Sequence, residues 1–302
     1  MSAARRAVHH DNETSLALYD EAAAAAAAQV ISRYSTSFGL GARLLPRAMR
    51  SAIASIYAMV RIADEIVDTY RGDDAGVVLD DFERQVHRAM AGRFSADVVA
   101  HAFGVTARAV GIGRDLTDPF FASMRMDLTR TEHDDASFAT YVHGSAEVVG
   151  EMCLAVFMNI TTGPAPVDDV LRAGARRLGA AYQKVNFLRD LASDADERGR
   201  IYFPGLTLDT LTDAQVAALV ADCRADLAAA RVTMPRLPRG ARRAVETTAD
   251  IYDDLLTRIE QTPATRLTTT RVRVPGPRKA QIALRRLTGH AGSATPAAEE
   301  TP

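Results

Sequence analysis

Apolar residues recur every three to four positions along most of the chain, the period of α-helices with one face turned inward. The pattern begins at Tyr19, and an unbroken alanine run over 22–28 supplies the strongest helix former available. Pro46 stands where a first-turn proline opens a helix running to about Tyr70. Further helices are predicted over 79–90, 96–110, 119–128, 136–160 and 167–194. A turn at Tyr202-Phe203-Pro204-Gly205 precedes two more, over 212–232 and 241–260. No segment alternates with period two, and none repeats at a spacing of about 20–50 residues. The expectation is an all-α fold in one domain, residues 17–288, between a disordered polar start (1–16) and a disordered small, acidic tail (289–302).

Two of these helices break the inside-outside rule. In residues 53–70, Ile53, Ile56, Val60, Ala63 and Val67 form one apolar face and Met59, Ile62 and Ile66 a second, so the helix reads as buried. Yet Tyr57, Arg61, Asp64 and Asp68 fall at i, i+4, i+7 and i+11, within about 60° of arc. Glu65 flanks them. The segment 179–204 repeats the device: Gln183, Asn186, Asp190 and Asp194 share one stripe, Arg189 flanks it, and Val185, Phe187, Leu188 and Leu191 point elsewhere. Unpaired carboxylates are expensive to bury. Either stripe alone fits an ion-pair network or a solvated face. Facing each other across a cavity, four carboxylates would repel unless cations neutralised them. Hard oxygen donors suit Mg²⁺, and Arg61 and Arg189 beside them suit a diphosphate, whose oxygens bind both metal and guanidinium.

Composition narrows the alternatives. The 302 residues carry 36 Lys+Arg against 38 Asp+Glu, a formal charge of −2, which argues against a nucleic-acid binder. Cys153 and Cys223 have no metal-ligand spacing and can form one bridge at most, so a disulfide scaffold and a zinc site are set aside. No apolar run of membrane-spanning length or signal-type start is present, and a cytoplasmic protein is expected.

The residues also resemble a known family. YSTSFGLGARLLP (34–46), YAMVRIADEIVD (57–68), MRMDL (124–128), YVHGSAEVVG (141–150) and QKVNFLRDLASDADERGRIYFP (183–204) are similar, in sequence and order, to the phytoene/squalene synthases, most of all bacterial phytoene synthases. The resemblance covers about residues 25–286. It implies an isoprenoid-synthase-type helical domain around a central cavity and head-to-head condensation of two prenyl diphosphates, here two geranylgeranyl diphosphates giving phytoene in carotenoid biosynthesis. Dehydrosqualene or squalene from two farnesyl diphosphates is the alternative, with NADPH needed only for squalene. By the same likeness Asp64, Asp68, Asn186, Asp190 and Asp194 would hold Mg²⁺, with Mn²⁺ as a substitute. Tyr34, Ser35, Thr36, Ser37, Tyr57, Arg61, Gln183, Arg189 and Tyr252 would contact substrate, and the four aspartates with Arg61 and Arg189 would carry catalysis. Glu65 departs from the aspartate that many relatives have there. A non-catalytic assembly or scaffold relative is the competing reading, and all four aspartates stand against it.

The chemistry so implied is ionisation of an allylic diphosphate, eased by electrostatic stabilisation of the leaving group and by exclusion of water from the cation. The apolar stretch 144–160 is expected to wall the cavity, with Gly144 and Gly150 leaving room for a polyprenyl chain. Phe38, Tyr57 and Tyr182 are candidates for cation–π contact or for plain core packing. Arg266, Arg271, Arg273, Arg278, Lys279, Arg285 and Arg286 make the late segment basic. It could cover the diphosphates, touch the inner face of a membrane peripherally, or form a solvated face. His143 and the oligomeric state have no reading from sequence.

Overall fold

The computed structural model describes residues 15–35 and 37–288. The helices are α1 (Leu16–Tyr34), α2 (Ser37–Arg43), α3 (Arg47–Asp68), α4 (Ala75–Met90), α5 (Val98–Val110) and α6 (Arg114–Asp127). After α7 (Asp135–Val142) a single π-helical turn, His143–Glu147, leads into α8 (Val148–Asn159). Then come α9 (Asp169–Arg198), α10 (Asp213–Thr233), α11 (Arg239–Glu260), the short α12 (Ala264–Leu267) and α13 (Gly276–Thr288). Among the described residues the sole strand-type pairing is an isolated bridge between Glu132 and Ile201. The expected disordered ends lie outside the described residues, apart from Ser15 and Leu16. These two begin α1, with the Ser15 hydroxyl accepting from the Leu18 N–H.

Local chemistry sets most boundaries. Asp97 and Asp168 cap α5 and α9 by accepting the first free N–H groups, and Asp134 with Ser137 and Thr212 with Gln215 form reciprocal capping boxes on α7 and α10. Gly111 and Gly199 end α5 and α9 in the left-handed conformation, at φ 81° and 63°. Three expectations are corrected. Pro119 lies inside α6 and does not open it, because Gly113 already frees the chain to start at Arg114. The predicted 136–160 helix is interrupted by the π turn. The helices α2 and α13 had no strong periodic signal: the first is only seven residues, and the second has just Ile282 and Ala283 buried.

Two hydrophobic clusters form the core. One gathers α1, α3, α4, α5, α6 and α8 around Ile53, Met59, Phe103, Phe120, Phe121 and Met152. The other gathers α7, α9, α10 and α11 around Leu188, Val220, Ile251 and Leu256, and Phe157 packs against both. A cavity of about 850 Å³ is lined from both clusters. Its width depends on close helix packing. Cβ atoms built at Gly150 and Gly179 would run into the carbonyls of Ala175 and Ala146, so α8 and its π turn touch α9 backbone to backbone. Gly144 is corrected in the same way: it abuts Ser123 and the Pro119 carbonyl, and so serves packing, not room for a chain.

Replacing Gly179 with Ala is therefore expected to destabilise the protein by about 1–3 kcal/mol of overpacking, outweighing the roughly 1 kcal/mol gain in helix propensity. A lowered urea midpoint checks this; an unchanged or raised midpoint would refute it.

Candidate active site

The stripe on α3 and the stripe on α9 open into the same cavity. Tyr57, Arg61, Asp64 and Asp68 line it from one side, and Gln183, Asn186, Arg189, Asp190 and Asp194 from the other. Tyr34, Ser35, Phe38 and Tyr252 complete the wall, together with Arg271 and Arg273 from the segment between α12 and α13. Thr36 lies outside the described residues, as does the side chain of Ser37. Much of the remaining lining is apolar, including Val149, Cys153, Phe157, Leu178, Met234 and Val245, while Asp127, Tyr141, Tyr202, Ser145, Ser193, Thr233 and Thr248 also reach it. The cavity is thus charged over part of its wall and greasy over much of the rest.

Guanidinium groups hold the acids in place. Arg61 pairs with Glu65 one turn on, and its guanidinium carbon lies 4.5 Å from the centre of the Tyr34 ring. Its Nε is buried without a partner, pointing to a ligand contact that the protein does not supply. Arg189 grips its neighbour Asp190, donating from Nε at 3.0 Å, and Arg271 reaches the same carboxylate at 2.6 Å. Tyr252 donates to Asn186 Oδ1 at 3.4 Å and stacks on Tyr182 at 4.0 Å. The Ser35 hydroxyl accepts from the Gly39 N–H, tying the end of α1 to α2, and Phe38 stacks on Tyr57 at 5.8 Å.

The electrostatics are unfavourable without a counter-ion. Loss of solvation and then the like charge of Asp68 push the Asp64 carboxyl up to about 8, with Arg61 opposing and Asp127 and Glu65 adding to the rise. Burial likewise pushes the Tyr57 phenol up to about 12. Asp64, Asp68, Asn186, Asp190 and Asp194 offer oxygen donors only, a set suited to Mg²⁺ or Mn²⁺ and poorly to soft metals. A divalent cation among them would relieve the repulsion that raises Asp64. A second acid–histidine group, Glu83, His87 and Asp118, lies between α4 and α6. Its carboxylates are met by Arg125 and Arg114, so it reads as an ion-pair network.

A family model described as squalene/phytoene synthase matches residues 31–278. The chain belongs to the squalene/phytoene synthase family. Phytoene synthase of Mycobacterium bovis is 28% identical over 267 residues, covering 82% of this chain and 84% of that protein. The 15-cis-phytoene synthase of Synechococcus elongatus is 33% identical over 191 residues, 58% of this chain and 59% of its own length, so that match spans less than two thirds of the relative. A crystal structure of a dehydrosqualene synthase shares the fold at a TM-score of 0.76 and 21% identity, covering 90% of this chain and 97% of that one. The squalene synthase HpnC from Alicyclobacillus acidocaldarius does so at 0.71 and 21%, covering 81% and 95%.

Within this synthase-family fold the basic late segment divides. Arg271 and Arg273 line the cavity, and burial together with the nearby charges of Arg189 and Arg273 lowers the Lys279 ammonium. Arg278 and Arg286 instead pair with Asp254 and Asp250 on α11. His143 donates from Nδ1 to the Glu147 carboxylate at 2.9 Å within the π turn. Cys153 lies on the cavity wall and Cys223 in the core, both as free thiols pushed up to about 12 by burial. Sequence reading missed Asp127, Arg200 and Tyr202. They lie within motifs it singled out, 124–128 and 183–204, but carry no helical periodicity relating them to the stripes. No helix among the described residues is long and apolar enough to cross a membrane.

An acid whose native pKa is raised binds its proton more tightly folded than unfolded, so stability falls as pH climbs from the unfolded value through the native one. With divalent cations chelated, the melting temperature should therefore decline between about pH 4 and 8, the span separating an unfolded aspartate near 3.9 from Asp64 near 8. Asp64→Asn should flatten that decline, raising the melting temperature at the alkaline end and changing it little at the acid end. An identical slope in wild type and variant would contradict the assignment.

Proposed function

We propose that the protein is a prenyltransferase that condenses two geranylgeranyl diphosphates head to head to give phytoene through a cyclopropylcarbinyl diphosphate, releasing one diphosphate and one proton in each of the two halves of the reaction. The observation that carries this reading is the meeting of two acidic stripes and four arginines, Arg61, Arg189, Arg271 and Arg273, across one cavity whose remaining lining is largely apolar. Arginine forks match phosphate oxygens in geometry and charge, so these four would grip the diphosphates and stabilise them as they leave. Mg²⁺, held by Asp64, Asp68, Asn186, Asp190 and Asp194, would supply Lewis-acid neutralisation of the leaving group, with Mn²⁺ able to replace it. The apolar wall keeps water from the allylic cation, which would otherwise be quenched to an alcohol. Phe38, Tyr57, Tyr182 and Tyr252 line the same space, where an aromatic ring can stabilise such a cation through its quadrupole.

Loss of a proton, and not gain of a hydride, is favoured by relatives named phytoene synthase at 28% to 33% identity. The likeness to the dehydrosqualene and squalene synthase structures is one of fold.

The test is mass analysis of products after incubating the purified protein with Mg²⁺ and either geranylgeranyl or farnesyl diphosphate, each with and without NADPH. A C40 product with the conjugated triene, formed from the C20 substrate alone and unaffected by NADPH, is expected. A C30 product from farnesyl diphosphate only, or a requirement for NADPH, would replace this reading with the dehydrosqualene or squalene one. No turnover of either substrate would overturn it. EDTA should abolish activity, and Asp190→Asn should lower turnover by about 10²-fold or more with helical content unchanged. Full activity in that variant would remove Asp190 from the proposed catalytic set.

A further inference from the structure

Arg200 is a buried cation, 7% exposed, that does not line the cavity and is assigned no part in the reaction above. It follows Gly199, whose left-handed conformation turns the chain out of α9, and the next residue is fastened by the Ile201 N–H to the Thr131 carbonyl at 2.9 Å. This places the guanidinium between the C-terminal ends of α3 and α6. Nη2 donates to the backbone carbonyls of Asp127 at 2.7 Å and Val67 at 3.3 Å. Carbonyls in the last turn of a helix lack an N–H from the next turn, and a cation there also meets the negative end of the helix dipole. Nη1 donates to Asp68 Oδ1 at 2.6 Å and lies 3.5 Å from Asp127 Oδ1.

The partner acid is itself fixed. Asp127, 8% exposed, accepts from the Tyr141 hydroxyl at 2.8 Å and the Tyr202 hydroxyl at 3.2 Å. Tyr202 lies flat on Phe187 of α9, with ring centres 4.1 Å apart and planes 12° from parallel, and its other aromatic neighbours are His133 and Tyr141. One buried guanidinium therefore ties an aspartate of the α3 stripe to α6, and through the aromatic stack to the helix that carries the α9 stripe. We infer that Arg200, braced by Asp127, Tyr141 and Tyr202, is a positioning residue that fixes the Asp68 carboxylate for cation binding and sets the spacing of the two acidic stripes. The inference rests on the metal–diphosphate reading of the cavity. A charge alone would not suffice. Five donors on a rigid plane let one side chain satisfy a carboxylate and two carbonyls at once, which a lysine ammonium cannot reproduce.

Arg200→Lys keeps the charge and removes the fork, so it separates positioning from electrostatic attraction. Binding of Mn²⁺, alone and with inorganic pyrophosphate, is followed by electron paramagnetic resonance of the free ion in wild type, Arg200→Lys and Tyr202→Phe. The apparent Mn²⁺ affinity should fall about 10- to 100-fold in Arg200→Lys, the usual effect of losing a group that orients a ligand, and by less in Tyr202→Phe. Turnover lost in Arg200→Lys should return as Mg²⁺ is raised. If melting temperature drops in the variants but Mn²⁺ affinity equals that of wild type, Arg200 is a structural clamp only and the inference fails. Should Arg200→Lys not fold, Tyr202→Phe decides by the same comparison. Wild type that binds no Mn²⁺ under either condition would instead overturn the metal reading itself, a failure distinct from equal binding in wild type and variants.

Discussion

Repulsion among carboxylates drawn out of bulk water is the constraint that organises this protein. On α3 and α9 the acids occupy one stripe each of helices whose other faces are packed into apolar clusters, so they cannot rotate away from the shared cavity. Burial and like charge then make ionisation of Asp64 costly, up to about 8. Such an arrangement persists only because the remainder of the core over-determines where the helices lie, as is common where function conflicts with stability.

Guanidinium groups are the protein's own answer to that repulsion. Arg61 is held by Glu65, Arg189 and Arg271 share Asp190, and Arg200 joins Asp68 to Asp127. Under the proposed function the pairings at Asp190 have to exchange. Diphosphate oxygens compete for Arg189 and Arg271, while divalent cations compete for Asp190. The third pairing is different in kind: Arg200 is buried behind its carboxylate and bonded to two helix-end carbonyls, so it stays while those at Asp190 exchange. Glu65 acts on Arg61 and reaches it because the two sit one helical turn apart.

The apolar part of the cavity follows from backbone contact more than from side-chain choice. Gly150 and Gly179 let α8 and α9 meet where any Cβ would collide, and the cavity lies beside that seam. Ser145 Oγ and Tyr182 Oη are buried there with no partner, each at a cost of about 1–3 kcal/mol. Two unpaired dipoles in residues that line the cavity mark a wall shaped for something other than maximal stability.

Much of this was legible in the chain. Helical periodicity located the long helices, since a 3.6-residue repeat is a local property. It missed α2, which is too short to show a period, and α13, which buries too little of itself to need one. The stripes on α3 and α9 were readable for the same local reason, because spacing within one helix fixes angular position. Tertiary packing alone decided that the stripes share a cavity, that Gly144 packs against Pro119 and does not widen that cavity, and that the late arginines divide between the cavity and α11. It alone also brought Arg200 to Asp68 across 132 positions of sequence. The physical reason is one of range: dihedral preference and helix period act over a few residues, whereas a buried charge takes its partner from whichever helix end the core sets beside it.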